Sequence, residues 1–208
     1  MKIYGDINSG NCLKVKWVSD RLGLPYDWIA IDTLKGESRT PEFLALNGAG
    51  QVPTIVLDDG RVLAQSNAII RYLARASDLI PADAFQAAKM DEWLFWEQYS
   101  HEPYIAVCRH QMVYLGKAVS DLDADKVKRG YFALARMEHQ LGATKFLIGD
   151  AFTLADVALL AYTRVAHEGG FHLDGYASIR RWIAAAEREL GLQPSVEGRG
   201  QPRPPRSG

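Results

Sequence analysis

The chain has two predicted helix starts whose residue types could do chemistry. At one of them, Gln65, Ser66 and Asn67 precede an apolar pattern at helical spacing, so Ser66 or Asn67 is predicted to cap that helix. The free backbone N–H groups of a first turn, with the positive end of the helix dipole behind them, form a site for an anion. This stretch therefore predicts a site where a carboxylate can bind.

The other helix start follows the first predicted strand and carries Ser9, Asn11 and Cys12. A lone cysteine at the beginning of a helix can have a lowered thiol pKa, which would allow Cys12 to take part in thiol exchange. Ser9 has the simpler interpretation of a helix N-cap. The residues alone leave the choice between these roles open.

A β-hairpin is predicted just before the Ser66 helix. Two short apolar strands, Thr54 to Leu57 and Arg61 to Leu63, flank an Asp-Asp-Gly turn, which is a strong hairpin signal. Val52-Pro53 stands immediately before the first strand, where proline costs no ladder bond. If that peptide bond is cis, Val52 turns its N–H and C=O outward, free to pair with an extended, peptide-like ligand.

The elements that carry these residues form a strand–helix–strand unit, predicted at Lys2 to Tyr4, Leu13 to Leu22 and Trp28 to Ile31. A right-handed crossover makes its two strands parallel. With a short helix starting at Thr40-Pro41-Glu42, the hairpin and its helix, the unit predicts an α/β thioredoxin-like N-terminal domain (βαβ-α-ββα) ending near residue 76. We expect a linker at 77–83, an all-α C-terminal helical domain at 84–192 and a flexible tail at 193–208.

Composition excludes several classes of partner. The 208 residues carry a formal net charge of −1 with interspersed signs, which gives no long-range field for nucleic acid or an anionic membrane. No apolar run is long enough to span a bilayer, and we expect no leader. Cys12 and Cys108 lie far apart and not in a metal or redox spacing. We therefore expect a cytoplasmic protein without a nucleic-acid, membrane or metal partner.

A local folding signal stands at residues 152–157. Thr153 is predicted to cap a helix, and Asp156, three residues on, to accept a hydrogen bond from the Thr153 N–H, as in a capping box. The apolar run Ala158 to Ala161 follows. This motif is expected to serve folding and not chemistry.

Together these features resemble a cytosolic glutathione transferase of the bacterial, theta- or zeta-like serine type. The resemblance covers residues 1 to about 192 and is carried by Ser9, Val52-Pro53, Gln65-Ser66 and Thr153 to Asp156 in that order. It implies a two-domain homodimer that activates glutathione, its co-substrate, as a thiolate for attack on a small hydrophobic electrophile in detoxification. No metal is needed for that reaction.

The resemblance implies a glutathione site on the first domain. Val52 before a cis Pro53 would pair with the cysteinyl backbone of glutathione, and Gln65 with Ser66 would hold its γ-glutamyl carboxylate. The family usually has Glu where this chain has Gln65, which keeps the hydrogen bonding but drops the charge. Gln51 is expected to belong to the same site.

Two basic residues, Lys35 and Arg39, precede the short helix at Thr40. One interpretation is that both are solvent-exposed charges without a functional role. The resemblance implies that one of them neutralises the glycyl carboxylate of glutathione, and Arg39 is the better positional match.

The resemblance places the thiol donor in the loop after the first strand. Ser9 matches the position of the catalytic serine, Asn11 could donate through its amide instead, and Cys12 could form a mixed disulfide with glutathione. Two alternatives stay open: a glutathione-dependent disulfide or peroxide reductase acting through Cys12, and a non-catalytic glutathione-fold binding module.

The first helices of the second domain carry aromatic and polar-tipped residues at helical spacing. Members of the family place the corresponding helix against the electrophile, and polar-tipped aromatic rings suit a half-buried wall. We therefore expect the electrophile pocket to be lined by Tyr99, His101, Tyr104 and Cys108.

Overall fold

The computed structural model describes residues 1–195. Its sheet is built from β1 (Lys2–Gly5), β2 (Asp27–Ala30), β3 (Thr54–Val56) and β4 (Val62–Ala64), in the spatial order β2-β1-β3-β4. β1 and β2 are parallel and the other pairs antiparallel. The predicted βαβ unit and hairpin are therefore confirmed, with strand ends shifted by one residue or so.

Three helices pack with this sheet: α1 (Gly10–Arg21), α2 (Pro41–Leu46) and α3 (Ser66–Leu73). α1 begins three residues before the predicted Leu13, directly after the loop that follows β1. Thr40 caps α2 as predicted, because its hydroxyl accepts a hydrogen bond from the Phe43 N–H at 3.3 Å. We call this part of the chain, up to α3, the sheet domain.

The predicted cap of α3 is wrong by one residue. Gln65, not Ser66 or Asn67, is the N-cap, and its side chain makes no capping hydrogen bond within the described chain. Its backbone has φ 71°, a left-handed conformation that a residue with a Cβ adopts only at a cost of about 1–3 kcal/mol. Such strain concentrates at binding sites, which makes Gln65 a functional candidate on geometric grounds.

The helical domain begins with α4 (Ala84–Trp96), which continues through a π-helical turn (Glu97–His101) into α5 (Glu102–Val113). It goes on with α6 (Ala124–Ala143), α7 (Leu154–Thr163) and α8 (Ala177–Glu189). Short 3-10 turns lie at Val119–Asp121 and Ala166–Gly169. All ten residues of α7 are buried, so this helix is the centre around which the others pack.

Asp156 ties the start of α7 to two neighbouring segments. One carboxylate oxygen accepts hydrogen bonds from the Thr153 N–H at 2.9 Å and the Thr153 hydroxyl at 3.1 Å. The other accepts from the Leu147 N–H at 3.0 Å and the indole N–H of Trp182 at 2.8 Å. Burial raises the pKa of Asp156 to about 6, against these hydrogen bonds, which lower it. The predicted bond to Thr153 is present, and the links to Leu147 and Trp182 add a tertiary role.

The described chain contains no helix or strand between Leu73 and Ala84. We keep 1–76, 77–83 and 84–192 as a proposed division. Of the predicted tail, residues 196–208 lie outside the described residues. Gln193 and Ser195 are held by the helical domain: the Gln193 carbonyl accepts from Arg164 at 3.0 Å, and the Ser195 N–H donates to Glu187 at 2.9 Å. Among the helices of residues 1–195, none has the length and apolarity to cross a bilayer.

Candidate functional site

A cleft of about 670 Å³ lies between the two domains. The sheet domain contributes the loop after β1, the segment before α2, the residues on either side of Pro53 and the start of α3. The helical domain contributes the π-helical turn, α5 and the end of α7. The lining residues are Asp6, Ser9, Asn11, Thr33, Leu34, Ser38, Arg39, Asn47, Gly50, Gln51, Val52, Pro53, Gln65, Ser66, Gln98, Glu102, Ala106, Arg109, His110, Tyr114 and Tyr162.

Ser9 sits at the N-cap position of α1 with its side chain at the cleft. Its backbone is extended (φ −82°, ψ 121°), its N–H donates to the Asp6 carbonyl at 3.0 Å, and its carbonyl accepts the first helical bond from Leu13 at 2.9 Å. The hydroxyl makes no capping hydrogen bond to the described chain. Ser9 therefore has the position of a cap without using its hydroxyl as one, and the hydroxyl instead interacts with the side chains of Cys12 and Tyr162 beside the cleft.

The Asn11 side chain is already engaged at both ends. Its carbonyl oxygen accepts from the Lys14 ammonium at 2.9 Å and the Ser66 hydroxyl at 3.1 Å. Its amide nitrogen donates to Glu102 at 3.3 Å. Asn11 lines the cleft, but these contacts make it a link between elements and a weaker candidate for thiol donor than Ser9.

The structure gives no support to a catalytic role for Cys12. The side chain is fully buried behind the cleft and is not among the residues that line it. Burial raises the pKa of the Cys12 thiol to about 11, although hydrogen bonding by Ser9 and by the Asp6 N–H lowers it. A buried thiol whose pKa is raised is a poor nucleophile and a poor exchange partner. The sequence feature that suggested reactivity, a cysteine at a helix start, is outweighed by desolvation.

The expected glutathione-binding residues meet at this cleft, with one exception. Its walls include Gln51, Val52, Pro53, Gln65, Ser66 and Arg39. The Val52-Pro53 bond is cis, and neither the N–H nor the C=O of Val52 has a backbone partner within residues 1–195.

Lys35 is the exception. Its side chain is 78% exposed, pairs with Asp32 at 3.4 Å and does not line the cleft. Arg39 does line it, held by a hydrogen bond from its guanidinium to the Ala49 carbonyl at 3.0 Å. Arg39 is therefore the basic residue that the cleft offers to an anionic group.

A buried polar network lies at the base of the cleft. Lys14 and Glu97, both fully buried, form an ion pair at 2.9 Å. Asn67 donates to Glu97 at 3.1 Å and to the Leu94 carbonyl at 3.0 Å. Since Lys14 also holds Asn11, which accepts from Ser66, the network joins α1, α3 and the π-helical turn. Nothing in the sequence pattern marked Lys14 or Glu97 as buried.

The expected electrophile-pocket residues do not line this cleft. Tyr99 is 82% exposed on the outer surface, and Cys108 is fully buried. His101 is buried with one ring nitrogen 2.9 Å from the Thr163 hydroxyl, and burial lowers its pKa to about 4. Tyr104 contacts Arg129, whose guanidinium lies over the ring at 5.8 Å. None of the four residues is among those that line this cleft, and their place in an electrophile pocket stays a prediction.

The cleft-facing side of α5 follows a π-helical turn. A π turn holds about one residue more than an α turn, and one residue rotates the following helix face by about 100°. The face presented to the cleft is Gln98, Glu102, Ala106 and His110, with Arg109 beside it. In the sequence, the signal for this cleft-facing side is a set of mostly polar residues that recur at every fourth position. This wall is mainly polar.

Two cleft residues from the helical domain contact the loop that carries Ser9, and sequence reasoning missed both. The Arg109 guanidinium donates to the Asn8 carbonyl at 2.9 Å and pairs with Glu168 at 2.7 Å. The Tyr162 hydroxyl accepts a hydrogen bond from the Asn11 N–H at 3.3 Å. No local motif pointed to either residue, because their contacts with Asn8 and Asn11 span 101 and 151 residues of sequence.

Comparison with known proteins agrees with this architecture. The family model described as "Glutathione S-transferase, N-terminal domain" matches residues 8–76, and the one described as "Glutathione S-transferase, C-terminal domain" matches residues 104–189. The chain is similar to Glutathione S-transferase 3 of Zea mays, at 33% identity over all of this chain and 98% of that protein.

Solved structures are similar too. A glutathione S-transferase from Pseudomonas fluorescens is 43% identical, with a TM-score of 0.89 over 94% of this chain and 98% of that one. A glutathione transferase homolog from Sulfitobacter with bound glutathione is 20% identical, with a TM-score of 0.77 over 91% and 94% of the two chains, and shows the shared fold only. With both family models matched across most of the chain, this protein belongs to the glutathione S-transferase family.

Proposed function

We propose that this transferase is of the serine type and that the Ser9 hydroxyl donates a hydrogen bond to the glutathione thiolate. One observation carries the proposal: the hydroxyl stands at the start of α1, makes no capping bond to the described chain, and faces the cleft that holds the expected glutathione-binding residues. The first-turn N–H groups of α1 add a partial positive charge at the same place.

The energetic requirement is modest. A free thiol has a pKa of about 8.5, and lowering it by about 2 units requires roughly 2.7 kcal/mol of preferential thiolate stabilisation. A hydrogen bond to a charged group contributes about 1.5–3 kcal/mol and a helix N-terminus about 0.3–1 kcal/mol. Ser9 and α1 together reach the required size without a metal or a general base.

The remaining contacts are proposed from the family resemblance, and the lining of the cleft supports them. Glutathione would pair its cysteinyl backbone with Val52 and set its γ-glutamyl carboxylate against Ser66 and Gln65, next to the start of α3. Its glycyl carboxylate would lie against Arg39, and Lys35 would take no part. Gln51 and Pro53 shape the segment that presents Val52.

The co-substrate is proposed to be a small electrophile that carries polar groups. The cleft wall opposite the sheet domain presents Gln98, Glu102 and His110, which favour hydrogen-bonding substituents over a purely hydrophobic molecule. This differs from the hydrophobic electrophile that the family resemblance implies.

We also propose a cytoplasmic homodimer. The outer face of α4, the π-helical turn and α6 exposes aromatic side chains, Phe95 by 77%, Tyr99 by 82% and Phe132 by 63%, which suits an interface with a second copy. Free, unpaired Cys12 and Cys108 suit a reducing compartment.

Steady-state conjugation separates this proposal from its alternatives. With activated aryl halides, enones, epoxides and disulfides as probes, Ser9→Ala is expected to lower kcat/KM at pH 7 by about 10- to 25-fold, because a thiol pKa that returns from about 6.5 towards 8.5 lowers the thiolate fraction by up to about 25-fold. Cys12→Ala is expected to stay within about twofold of the wild type. Ser120→Ala, on the surface, is the matched serine control.

Binding of S-methylglutathione, which has no thiol, reports whether each variant still forms the site. A loss of disulfide reduction in Cys12→Ala, with Ser9→Ala unaffected, would establish the reductase alternative instead. Wild-type binding without turnover of any probe would establish a binding module.

A further inference from the structure

The γ-glutamyl end of glutathione carries two opposite charges. Its carboxylate and its ammonium are bonded to the same carbon, so a site that binds the carboxylate places the ammonium against neighbouring side chains. In the proposed site the carboxylate lies against Gln65, Ser66 and the first-turn N–H groups of α3. None of these groups supplies a negative charge for the ammonium.

Among the described residues, two acidic side chains line the cleft, Asp6 and Glu102. Asp6 belongs to the loop after β1. Its carboxylate accepts hydrogen bonds from the Asn8 N–H at 2.8 Å and from the Asn8 side-chain amide at 2.9 Å. Asp6 is therefore already engaged in holding its own loop.

Glu102, the first residue of α5, is linked to the proposed carboxylate site through a single side chain. The Ser66 hydroxyl donates to the Asn11 side-chain oxygen at 3.1 Å, and the Asn11 amide nitrogen donates to Glu102 Oε1 at 3.3 Å. The side chains of Ser66 and Glu102 are thus separated by one amide group. A ligand whose carboxylate lies against Ser66 has its ammonium in the same part of the cleft as Glu102.

The charge of Glu102 is poorly compensated in the empty cleft. Within residues 1–195 its carboxylate accepts from Asn11 and forms no ion pair, because the nearby Lys14 is fully buried and pairs with Glu97 at 2.9 Å. Burial raises the pKa of Glu102 above the usual value for glutamate, the charge of Glu97 raises it further, and Lys14 and Asn11 lower it less. A half-buried carboxylate in this state gains from a cationic partner.

We propose that Glu102 binds the γ-glutamyl ammonium of glutathione and supplies the negative charge that the amide of Gln65 cannot supply. This inference rests on the proposed glutathione site and deepens it, because it assigns to the helical domain the recognition of the free amino group. Thiol peptides without that group are then poor substrates. Glu102 serves glutathione in this arrangement, and Gln98 and His110 remain for the electrophile.

The test compares two ligands that differ only in the ammonium: S-methylglutathione and its deamino analogue, in which a glutaryl group replaces the γ-glutamyl group. By isothermal titration, the wild type is expected to bind S-methylglutathione about 10-fold more tightly, the size of a charge-assisted hydrogen bond. In Glu102→Gln, which keeps an acceptor for Asn11, we expect the two affinities to agree within about twofold. Retained binding of the analogue shows that this variant still forms the site.

Two further variants serve as controls. Glu189→Gln, exposed on α8 and outside the cleft, loses the same charge and is expected to keep the preference for S-methylglutathione. Arg39→Gln is expected to weaken both ligands equally, because both carry the glycyl carboxylate. It reports on the proposed glutathione site independently of the ammonium.

Four results would overturn the inference. If Arg39→Gln weakens both ligands and Glu102→Gln weakens both equally, glutathione binds as proposed and Glu102 has only a structural role. Loss of the preference in Asp6→Asn, with Glu102→Gln unaffected, would place the ammonium at the other acid. Equal affinities of the wild type for the two ligands would mean that the ammonium is not recognised. Unchanged binding of both ligands by Arg39→Gln would refute the proposed glutathione site, and the inference with it.

Discussion

At the scale of single residues, position in the sequence identified Ser9 but could not distinguish it from Cys12. Both stand at the start of α1 and have residue types suited to thiol chemistry. Their difference is burial: Cys12 faces the core and its pKa rises, whereas Ser9 faces the cleft. Which side of a short loop a residue faces depends on the tertiary packing of α1 against α7, which no local pattern records.

Arg39 and Lys35 can be compared by mutation, because both are basic and only Arg39 lines the cleft. Arg39→Gln is expected to weaken glutathione binding by about 10-fold, because a hydrogen bond to a charged group contributes about 1.5–3 kcal/mol. Lys35→Gln is expected to leave binding unchanged, since Lys35 lies outside the cleft. Isothermal titration with S-methylglutathione measures both, and equal losses in the two variants would contradict the assignment.

At the scale of elements, the sequence predicted what local rules determine. The hairpin, the parallel βαβ unit, the Thr40 cap of α2 and the Asp156–Thr153 bond all follow from short-range spacing. The pocket-facing side of α5 does not, because a π-helical turn inserts a residue without an evident local signature. The electrophile-pocket prediction, which rested on residue type and on the family resemblance, did not anticipate which residues of α5 face the cleft.

The buried carboxyl of Asp156 leads to a prediction about how the free energy of unfolding depends on pH. Its pKa is raised from its ordinary value near 3.8 to about 6, so the native state favours the protonated carboxyl. Stability contributed by Asp156 is therefore present below about pH 4 and is lost as pH rises towards 6, by up to about 3 kcal/mol.

Chemical denaturation of wild type and Asp156→Asn between pH 4 and pH 7 measures this contribution. The free energy of unfolding of Asp156→Asn is expected to fall less over that range. Turnover per folded molecule is expected to be retained, because Asp156 lies outside the cleft. Parallel pH profiles of stability would contradict the burial-raised pKa.

At the scale of the whole molecule, the cleft exists because two domains of different architecture are joined by buried polar contacts. Lys14 and Glu97 cross the interface as a fully buried ion pair, and Tyr162 and Arg109 cross it to reach the Ser9 loop. The residues that make these contacts lie far apart in the sequence. Each domain could therefore be predicted from local patterns, whereas the cleft between the domains could be predicted only in part.

The ion pair leads to a prediction about how the domains are held together. Lys14→Met is expected to lower the free energy of unfolding by about 3–5 kcal/mol, because it leaves the Glu97 carboxylate buried without its partner. Lys14→Met combined with Glu97→Gln removes both charges and is expected to recover at least half of that loss. If denaturant titrations show the double variant to be the sum of the two single ones, the pair is not coupled across the interface.

The central claim, that Ser9 activates the glutathione thiol, is tested most directly by the ultraviolet thiolate absorbance of bound glutathione across pH. In the wild type the account predicts a thiol pKa about 2 units below the free value of about 8.5, and in Ser9→Ala a return towards that free value. A wild-type thiol pKa equal to that of free glutathione, or one lowered equally in both proteins, would contradict it.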